Sequence, residues 1–410
     1  MTQPIFIINI FFNLMFLSQE DKEFISKNED LSITDIAITL SNRKIGKERS
    51  NFILNQILGR RLSKKKIPEW YQNNEIIYPI HLSIEQASSY ETAMYKTSLI
   101  NKDDNYLIDL TGGLGVDFFY FAKKVQKATY VEQNSELCDI AKHNFKALGL
   151  NNYSVVNAKS EEFIEYILSA DTIFIDPARR DNLGNKVFRI EDCTPNISEI
   201  QDTLISKAKK IIIKYSPMLD ISSALKKLKG VSEVNIVSVD NECKEVLFVI
   251  TETNKPIVYK TINIKKNMIN EEFSFVYDDE IKLNIPYSNI VFKYLYEPNA
   301  SILKAGAFKS ISNDFNLDKL HPNSHLYSSN KLIENFPGRR FEVKNYFTPN
   351  KNNIKRYLSE INKANITVRN YPDSVSKIRK ITNLKDGGDT YIFATTLEPN
   401  NKTWIICNKI

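Results

Sequence analysis

Apolar and polar positions follow two regimes along this chain. From residue 18 to about residue 75, apolar residues recur three and four apart, as in Asp35–Leu40 and Phe52–Leu58, which predicts a helical region. From Tyr106 the pattern becomes short apolar runs alternating with longer amphipathic ones. Strands are expected at 106–110, 128–132, 153–157, 171–175 and 210–215, with helices near 116–124, 135–148, 160–168 and 197–208. That alternation predicts a doubly wound parallel sheet. After a further helix at about 219–228, strands at 232–239 and 244–251 are separated only by Asp240-Asn241-Glu242-Cys243. No crossover helix fits there, so these two strands are expected to be antiparallel. Beyond Lys255-Pro256 the alternation stops and shorter strand-like stretches appear, Ile257–Ile264 and Phe273–Tyr277. From about Arg339, strand, helix, strand, helix and strand follow at Phe341–Phe347, Asn352–Lys363, Asn365–Arg369, 373–383 and Tyr391–Thr396, which predicts a small α+β module.

The first strand carries the most informative chemistry. It ends in Asp109 and runs through Thr111-Gly112-Gly113-Leu114-Gly115 into a helix, and the second strand closes on Glu132. Glycines at a helix N-terminus let backbone approach a ligand closely, and an acid 17 residues past Gly115 suits two ribose hydroxyls. An adenosine cofactor is therefore expected. The dinucleotide fingerprint demands a third glycine for close helix packing, and that position is Phe118. S-adenosylmethionine has no phosphate and can dispense with that feature, while Asp109 suits the methionine amine. The pattern points to a methyltransferase over a dehydrogenase. One antiparallel strand in a parallel sheet, the usual pattern of class I methyltransferases, supports this without the glycines.

Composition narrows the setting. At 410 residues and 42% hydrophobic content, the chain can bury several cores. Cys138, Cys193, Cys243 and Cys407 stand singly, which argues against structural zinc and a disulfide framework and fits a cytoplasmic protein. His321 and His325 have helix-face spacing, but Pro322 and Asn323 between them predict a loop, and no metal site is expected. The apolar stretch Pro4–Leu17 is too short to span a bilayer, and no membrane association is expected. It lacks a preceding basic residue and a cleavage site, and Met15 begins an ordinary start, so translation is expected to begin at Met15. Charge is uneven: residues 331–410 hold 15 basic against 7 acidic residues, an excess that an anionic partner such as RNA would select, or that simply keeps the surface soluble. The basic group Arg60-Arg61 and Lys64-Lys65-Lys66 reads as a solvated helix face.

The fourth strand ends in Asp176-Pro177-Ala178-Arg179-Arg180. Ligands in an open α/β sheet sit at the carboxyl ends of the strands, which places this pentapeptide beside a cofactor methyl group. Asp176, held by the rigid Pro177, can accept a hydrogen bond from an amine attacking that methyl. Arg179 and Arg180 can clamp a substrate phosphate or carboxylate. The bland alternative is a strand-end turn with surface arginines.

These motifs, with Pro79–Ser89, Ser216–Asp220, Asn241–Glu245, Tyr296–Ala300 and His321–His325, resemble the class I methyltransferase-like proteins of Bacteroidetes bacteria. Those proteins carry an N-terminal helical region, a ferredoxin-like domain and a C-terminal THUMP-like domain. The resemblance implies a Rossmann-like methyltransferase sheet with those flanking modules, a bound S-adenosylmethionine and RNA, not DNA, as the partner. The expected domains are 1–98, 99–254, 255–333 and 334–410, with residues 1–14 expected to be untranslated. By the same likeness, Gln86 belongs to a segment folding over the cofactor, with Thr92 a weaker candidate. Asn157 stands where an Asp often holds the adenine amine.

The target atom is approached by elimination. Asp-Pro-Ala-Arg is similar to Asp-Pro-Pro-Arg of the uracil-5 RNA methyltransferases, but their cysteine nucleophile after strand five is replaced here by Tyr215-Ser216-Pro217. Cys193 and Cys243 lie off that strand end, and a lone cysteine is usually a small buried hydrophobe. Amine methyltransferases usually show Asp-Pro-Pro-aromatic, whose ring stacks on a flipped base. Here Arg179 would stack through its guanidinium, or Phe188 or Tyr215 would supply a ring. The expectation is methylation of a base nitrogen in tRNA or rRNA. Two alternatives stay open: an RNA-binding protein that holds the cofactor without catalysis, and a methyltransferase of a small molecule or protein.

Overall fold

The computed structural model describes residues 16–43, 45–79, 84–179, 189–266 and 270–410. Met15, Ile80 to Ser83 of the motif beginning at Pro79, Arg180 and Phe188 lie outside the described residues, and of Arg179 only the backbone is described. The chain divides into two compact units. The first runs to Tyr215 and adds residues 222–230 and 249–252, and the second holds residues 216–221, 231–248 and 253–410.

The first unit opens with helices α1 (Gln19–Asn28), α2 (Ile33–Asn42), α3 (Lys47–Lys66) and α4 (Pro68–Gln72), as the helical spacing predicts. Ser18 caps α1 in a reciprocal capping box with Asp21, and Ser32 caps α2. The basic group at the end of α3 is not simply a solvated face. Arg60 pairs with Glu29 at 3.2 Å, Arg61 donates to the Glu29 and Leu31 carbonyls, and Lys66 Nζ holds the Ile84 carbonyl at 2.9 Å. Helix α5 (Tyr90–Ser98), absent from the elements that the periodicity predicts, is capped by a box between Ser89 and Thr92.

Five strands follow: β1 (Tyr106–Asp109), β2 (Lys127–Glu132), β3 (Tyr153–Asn157), β4 (Ala170–Ile175) and, after the two-residue pieces β5 (Ala178–Arg179) and β6 (Cys193–Thr194), β7 (Ala208–Tyr215). Helices α6 (Val116–Ala122), α7 (Ser135–Ala147), α8 (Ser160–Ile164) and α9 (Ile197–Lys207) lie between them in sequence. The strands pair in parallel in the order β7, β4, β1, β2, β3. The chain moves outward from β1 to β3, then restarts on the other side at β4. The carboxyl ends of β1 and β4 therefore flank a topological switch point, where open α/β sheets bind ligands. An aromatic core of Phe118, Phe119, Phe121, Tyr130, Phe145 and Phe174 packs beneath it.

In the second unit β8 (Val231–Val239) and β9 (Glu242–Thr251) neighbour each other across Asp240 and Asn241, whose φ values of 49° and 64° suit a tight two-residue hairpin turn. Strand β10 (Val258–Ile264) adds in parallel to β8, and β11 (Glu271–Val276) adds antiparallel to β10. A separate seven-stranded sheet has the order β13, β14, β12, β15, β18, β17, β16. Its strands are β12 (Tyr294–Pro298), β13 (Asp318–Lys319), β14 (Tyr327–Ser329), β15 (Gly338–Phe347), β16 (Asn365–Val368), β17 (Thr390–Leu397) and β18 (Asn401–Lys409). The last of these was not assigned from the sequence. Helices α10 (Tyr277–Lys282), α11 (Ala300–Ala305), α12 (Ser310–Asp314), α13 (Lys351–Leu358) and α14 (Val375–Thr382) complete the unit.

Candidate cofactor and catalytic site

The glycine turn is built by crowding on one side and openness on the other. Tyr130 packs edge-on between Phe118 and Phe145 and donates from its hydroxyl to the Gly113 carbonyl at 2.6 Å. A Cβ on Gly112 would lie 2.1 Å from the Tyr130 ring, and one on Gly115 would lie 2.6 Å from Phe145. Gly115 caps α6 with φ 84°, a left-handed conformation that favours glycine. Gly113 also has positive φ, 54°, yet its missing Cβ faces nothing nearer than the Thr111 carbonyl at 3.8 Å. That open side is the free space of the turn.

Two acids bracket it. Glu132, at the end of β2, accepts from the Gly113 amide at 3.0 Å and the Asn134 amide at 2.9 Å, so each carboxylate oxygen is oriented by backbone. Asp109, at the end of β1, is 1% exposed and accepts from the Thr111 amide at 3.0 Å. Burial pushes its carboxyl well above the usual carboxylate range, and the negative charges of Asp117, Asp176 and Glu132 push the same way. Such a group favours a cation arriving beside it.

Across the switch point, the Asp176 amide donates to Thr111 Oγ1 at 2.6 Å, so Thr111 joins the β1 and β4 loops. The Asp176 carboxylate is partly exposed and forms an ion pair with Lys214 Nζ. Lys214 was not singled out from the sequence. Its signal was a basic residue in the otherwise apolar run Ile211-Ile212-Ile213, placed beside β4 by the pairing of Ile175 with Ile213. Pro177 is buried, and Ala178 and Arg179 pair with Thr194 and Cys193. Tyr215 is 5% exposed and burial raises its hydroxyl far above the ordinary tyrosine value. Asn157 Nδ2 donates to the Glu132 carbonyl at 2.9 Å and the Gln133 carbonyl at 3.0 Å, bracing the turn after β2. Gln86 is exposed on a turn, and among the described residues no hydrogen bond links it to the glycine turn. Its neighbour Ser88 donates to Asp117 at 2.7 Å and accepts from the fully buried Lys96 at 2.9 Å, while Lys96 pairs with Asp117 at 3.1 Å. This buried triad ties the segment before α5 to the first turn of α6. Gln86, Asp109, Thr111, Gly113, Gly115, Glu132 and Asn157 thus all lie in the first unit, together with Asp176 and Tyr215.

A doubly wound sheet with acids at the ends of β1 and β2 around a glycine turn defines a methyltransferase-type fold. Residues 294–337 match the model of a ferredoxin-like domain and residues 338–409 that of a THUMP domain-like family. Among solved structures, the "putative methyltransferase" of Porphyromonas gingivalis W83 is similar at 30% identity and a TM-score of 0.86, covering 96% of this chain and 100% of that one. The chain belongs to the same family, a methyltransferase family with ferredoxin-like and THUMP-like domains. Also similar are a precorrin-8w decarboxylase from Methanobacterium thermoautotrophicum, at 16% identity, TM-score 0.33 and 44% and 98% coverage, and an rRNA methylase from Streptococcus thermophilus, at 12%, 0.31 and 40% and 96%. A search of curated proteins returned no match. Among the described residues no helix is long and apolar enough to cross a membrane.

Proposed function

We propose that this protein is an S-adenosylmethionine-dependent methyltransferase acting on a base nitrogen of tRNA or rRNA. The observation that carries the reading is the switch-point geometry: the buried carboxyl of Asp109 and the open side of Gly113 lie on the β1 loop, which is bonded directly to the Asp176 loop. The donor set fits the cofactor. Asp109 suits the methionine ammonium, Glu132 retains acceptor capacity for two ribose hydroxyls, and the side-chain carbonyl of Asn157 is the group for the adenine amine.

Bound S-adenosylmethionine supplies an electrophilic methyl on a sulfonium sulfur. The chain's own task is to bring a nitrogen lone pair onto that carbon and to receive the proton. As the carbon–nitrogen bond forms and the carbon–sulfur pair stays on sulfur, Asp176 takes a hydrogen bond from the nucleophilic nitrogen and then its proton. Lys214, ion-paired with Asp176, holds its carboxylate in one position. Pro177 fixes the backbone, and Arg179 and Arg180 are assigned to the RNA. In this division of labour residues 99–254 hold cofactor and chemistry, and residues 334–410 hold RNA through their basic excess.

The test uses purified protein, methyl-tritiated S-adenosylmethionine and total RNA from a strain lacking the gene, with parental RNA as control. Label entering only the deletion-strain RNA supports the reading, and digestion then identifies the nucleoside. No label in either RNA, with cofactor binding intact, refutes it.

A further inference from the structure

Two motifs play no part in the methyl-transfer site: Tyr296–Ala300 and His321–His325. Both lie in the second unit, and both feed one cluster. Glu297, on β12, has a side chain only 3% exposed, and it sits directly across from Arg339 on β15. Arg339 Nε donates to Glu297 Oε2 at 2.6 Å, and Arg369, just after β16, contacts Glu297 Oε1 at 2.7 Å. One buried carboxylate is therefore ion-paired with two guanidinium groups, through a hydrogen bond to Arg339 and an ionic contact to Arg369. Each remains about a third exposed, 31% for Arg339 and 38% for Arg369. Arg339 also lies over the Phe341 ring, and Arg369 Nη1 donates to the Val368 carbonyl at 2.9 Å, so neither head is loose.

The arithmetic of donors matters here. A guanidinium has five N–H groups in a rigid fork. Glu297 and Val368 occupy only part of each fork, and the two arginines carry one more positive charge than Glu297 neutralises. Asn370, which follows Arg369, is hydrogen-bonded to His321 at 3.0 Å, and in the same loop as His321, His325 stacks on Phe308 at a centroid distance of 3.7 Å. Burial, with Lys319 and Arg369 adding, lowers the His325 imidazole to about 4, so at neutral pH this pair is an uncharged aromatic face. Oriented guanidinium forks next to an aromatic face are what a phosphate flanking an unstacked base requires.

We propose that Arg339 and Arg369, pre-oriented by Glu297, form a clamp for one backbone phosphate of single-stranded RNA, with the Phe308–His325 pair beside it for the adjoining base. The inference rests on RNA being the substrate, and it assigns to Tyr296–Ala300 a binding role. Glu297 is a positioning residue. It improves RNA binding although its own charge repels RNA.

That opposition of sign gives the test. Binding of a fluorescein-labelled single-stranded RNA of mixed sequence is followed by anisotropy against potassium chloride for wild type, R369Q, R369K and E297Q. Folding of each variant is checked by near-ultraviolet circular dichroism. R369Q should weaken binding about tenfold and make the slope of log affinity against log salt shallower by about 0.7. R369K keeps the charge and loses the fork, so the clamp predicts a loss of roughly fivefold where diffuse attraction predicts none. E297Q raises the net charge by one, so diffuse attraction predicts tighter binding, and the clamp predicts weaker binding. R369K binding as wild type does, together with E297Q binding as tightly or more tightly, overturns the clamp while leaving an RNA substrate intact. Wild-type protein that binds no RNA overturns the clamp and the RNA reading together. R369K, at a partly exposed position, carries the test if E297Q does not fold.

Discussion

Gly112→Ala and Gly113→Ala are adjacent substitutions with opposite expected consequences. A methyl at residue 112 would lie 2.1 Å from Cε2 and 2.4 Å from Cζ of Tyr130. That ring is fully buried, so it cannot swing aside as a flexible tip would. Relief means giving up the hydroxyl bond to Gly113, about 1 kcal/mol, and the edge contacts with Phe118 and Phe145, about 0.5–1.5 kcal/mol each. G112A should therefore lose about 2–4 kcal/mol of stability. At residue 113 nothing but the Thr111 carbonyl stands within 4 Å, so the cost is only that of placing a non-glycine residue at positive φ, about 1–2 kcal/mol. The added methyl would instead occupy the open side assigned to the cofactor, and S-adenosylmethionine affinity should fall about tenfold or more, equivalent to at least about 1.4 kcal/mol. Urea unfolding reads the first effect. The chain has two tryptophans, and with Trp404 changed to Phe the buried Trp70 reports on the first unit alone. Isothermal titration with the cofactor reads the second. A G113A protein that binds S-adenosylmethionine as wild type does would refute the placement of the cofactor, and a G112A protein of unchanged stability would refute the packing argument.

Other consequences are open to direct measurement. Lys96→Met strands Asp117 in a nearly buried site and should cost about 3–5 kcal/mol, whereas the double variant K96M/D117L should cost less than the single one; equal losses in urea unfolding would disprove the coupling. Asp109 has a folded pKa raised by burial, so the stability linked to its neutral form is present below the unfolded carboxyl value and is lost as pH rises through the folded one. D109N should therefore gain stability over wild type as pH rises above the unfolded carboxyl value of about 4, while losing cofactor affinity, and a difference constant with pH would contradict this. D176N should lower kcat about a hundredfold with the Kd for S-adenosylmethionine unchanged, and K214M should lower kcat in the same direction by less; a cofactor Kd that moves with either would reassign them to binding. Removing the exposed charges Lys355, Arg356 and Lys380 should flatten the salt dependence of RNA binding by about 0.7 for each phosphate that is no longer neutralised, and an unchanged slope would clear these helices of a role in holding RNA. Point variants are preferred to deleting residues 331–410, because β12 pairs with β14 on one side and β15 on the other, and deletion would strip it of β15.

What was legible in the sequence was what short-range physics dictates. The strands from Tyr106 to Tyr215 are apolar runs bounded by helices, and their observed limits lie within a few residues of the periodic pattern. The glycine turn was legible because Gly113 and Gly115 answer a backbone demand made within a few residues. Strand β18 was missed although Trp404-Ile405-Ile406-Cys407 is an apolar run, because it closes the chain with no flanking helix to mark an alternation. Helix α5 was missed because its apolar residues are few, while its start depends on the capping exchange between Ser89 and Thr92.

The charged partnerships were illegible for a different reason. Lys214 meets Asp176 across 38 residues, Lys66 reaches the Ile84 carbonyl across 18, and Arg369 reaches Glu297 only because β12, β15 and the end of β16 are gathered into one sheet. Composition reports such residues as an excess of charge and invites a diffuse reading. The fold instead assigns them separate tasks. Arg60, Arg61 and Lys66 are consumed in holding the helical region together, and Lys96 is buried against Asp117. Lys214 fixes the carboxylate proposed to take the proton, whereas Arg339 and Arg369 are pinned by a carboxylate that reduces their net charge. A protein that needed only attraction to RNA would gain nothing by burying Glu297 between two arginines. The arrangement makes sense where orientation is worth more than charge, and the sign of the E297Q effect measures that difference directly.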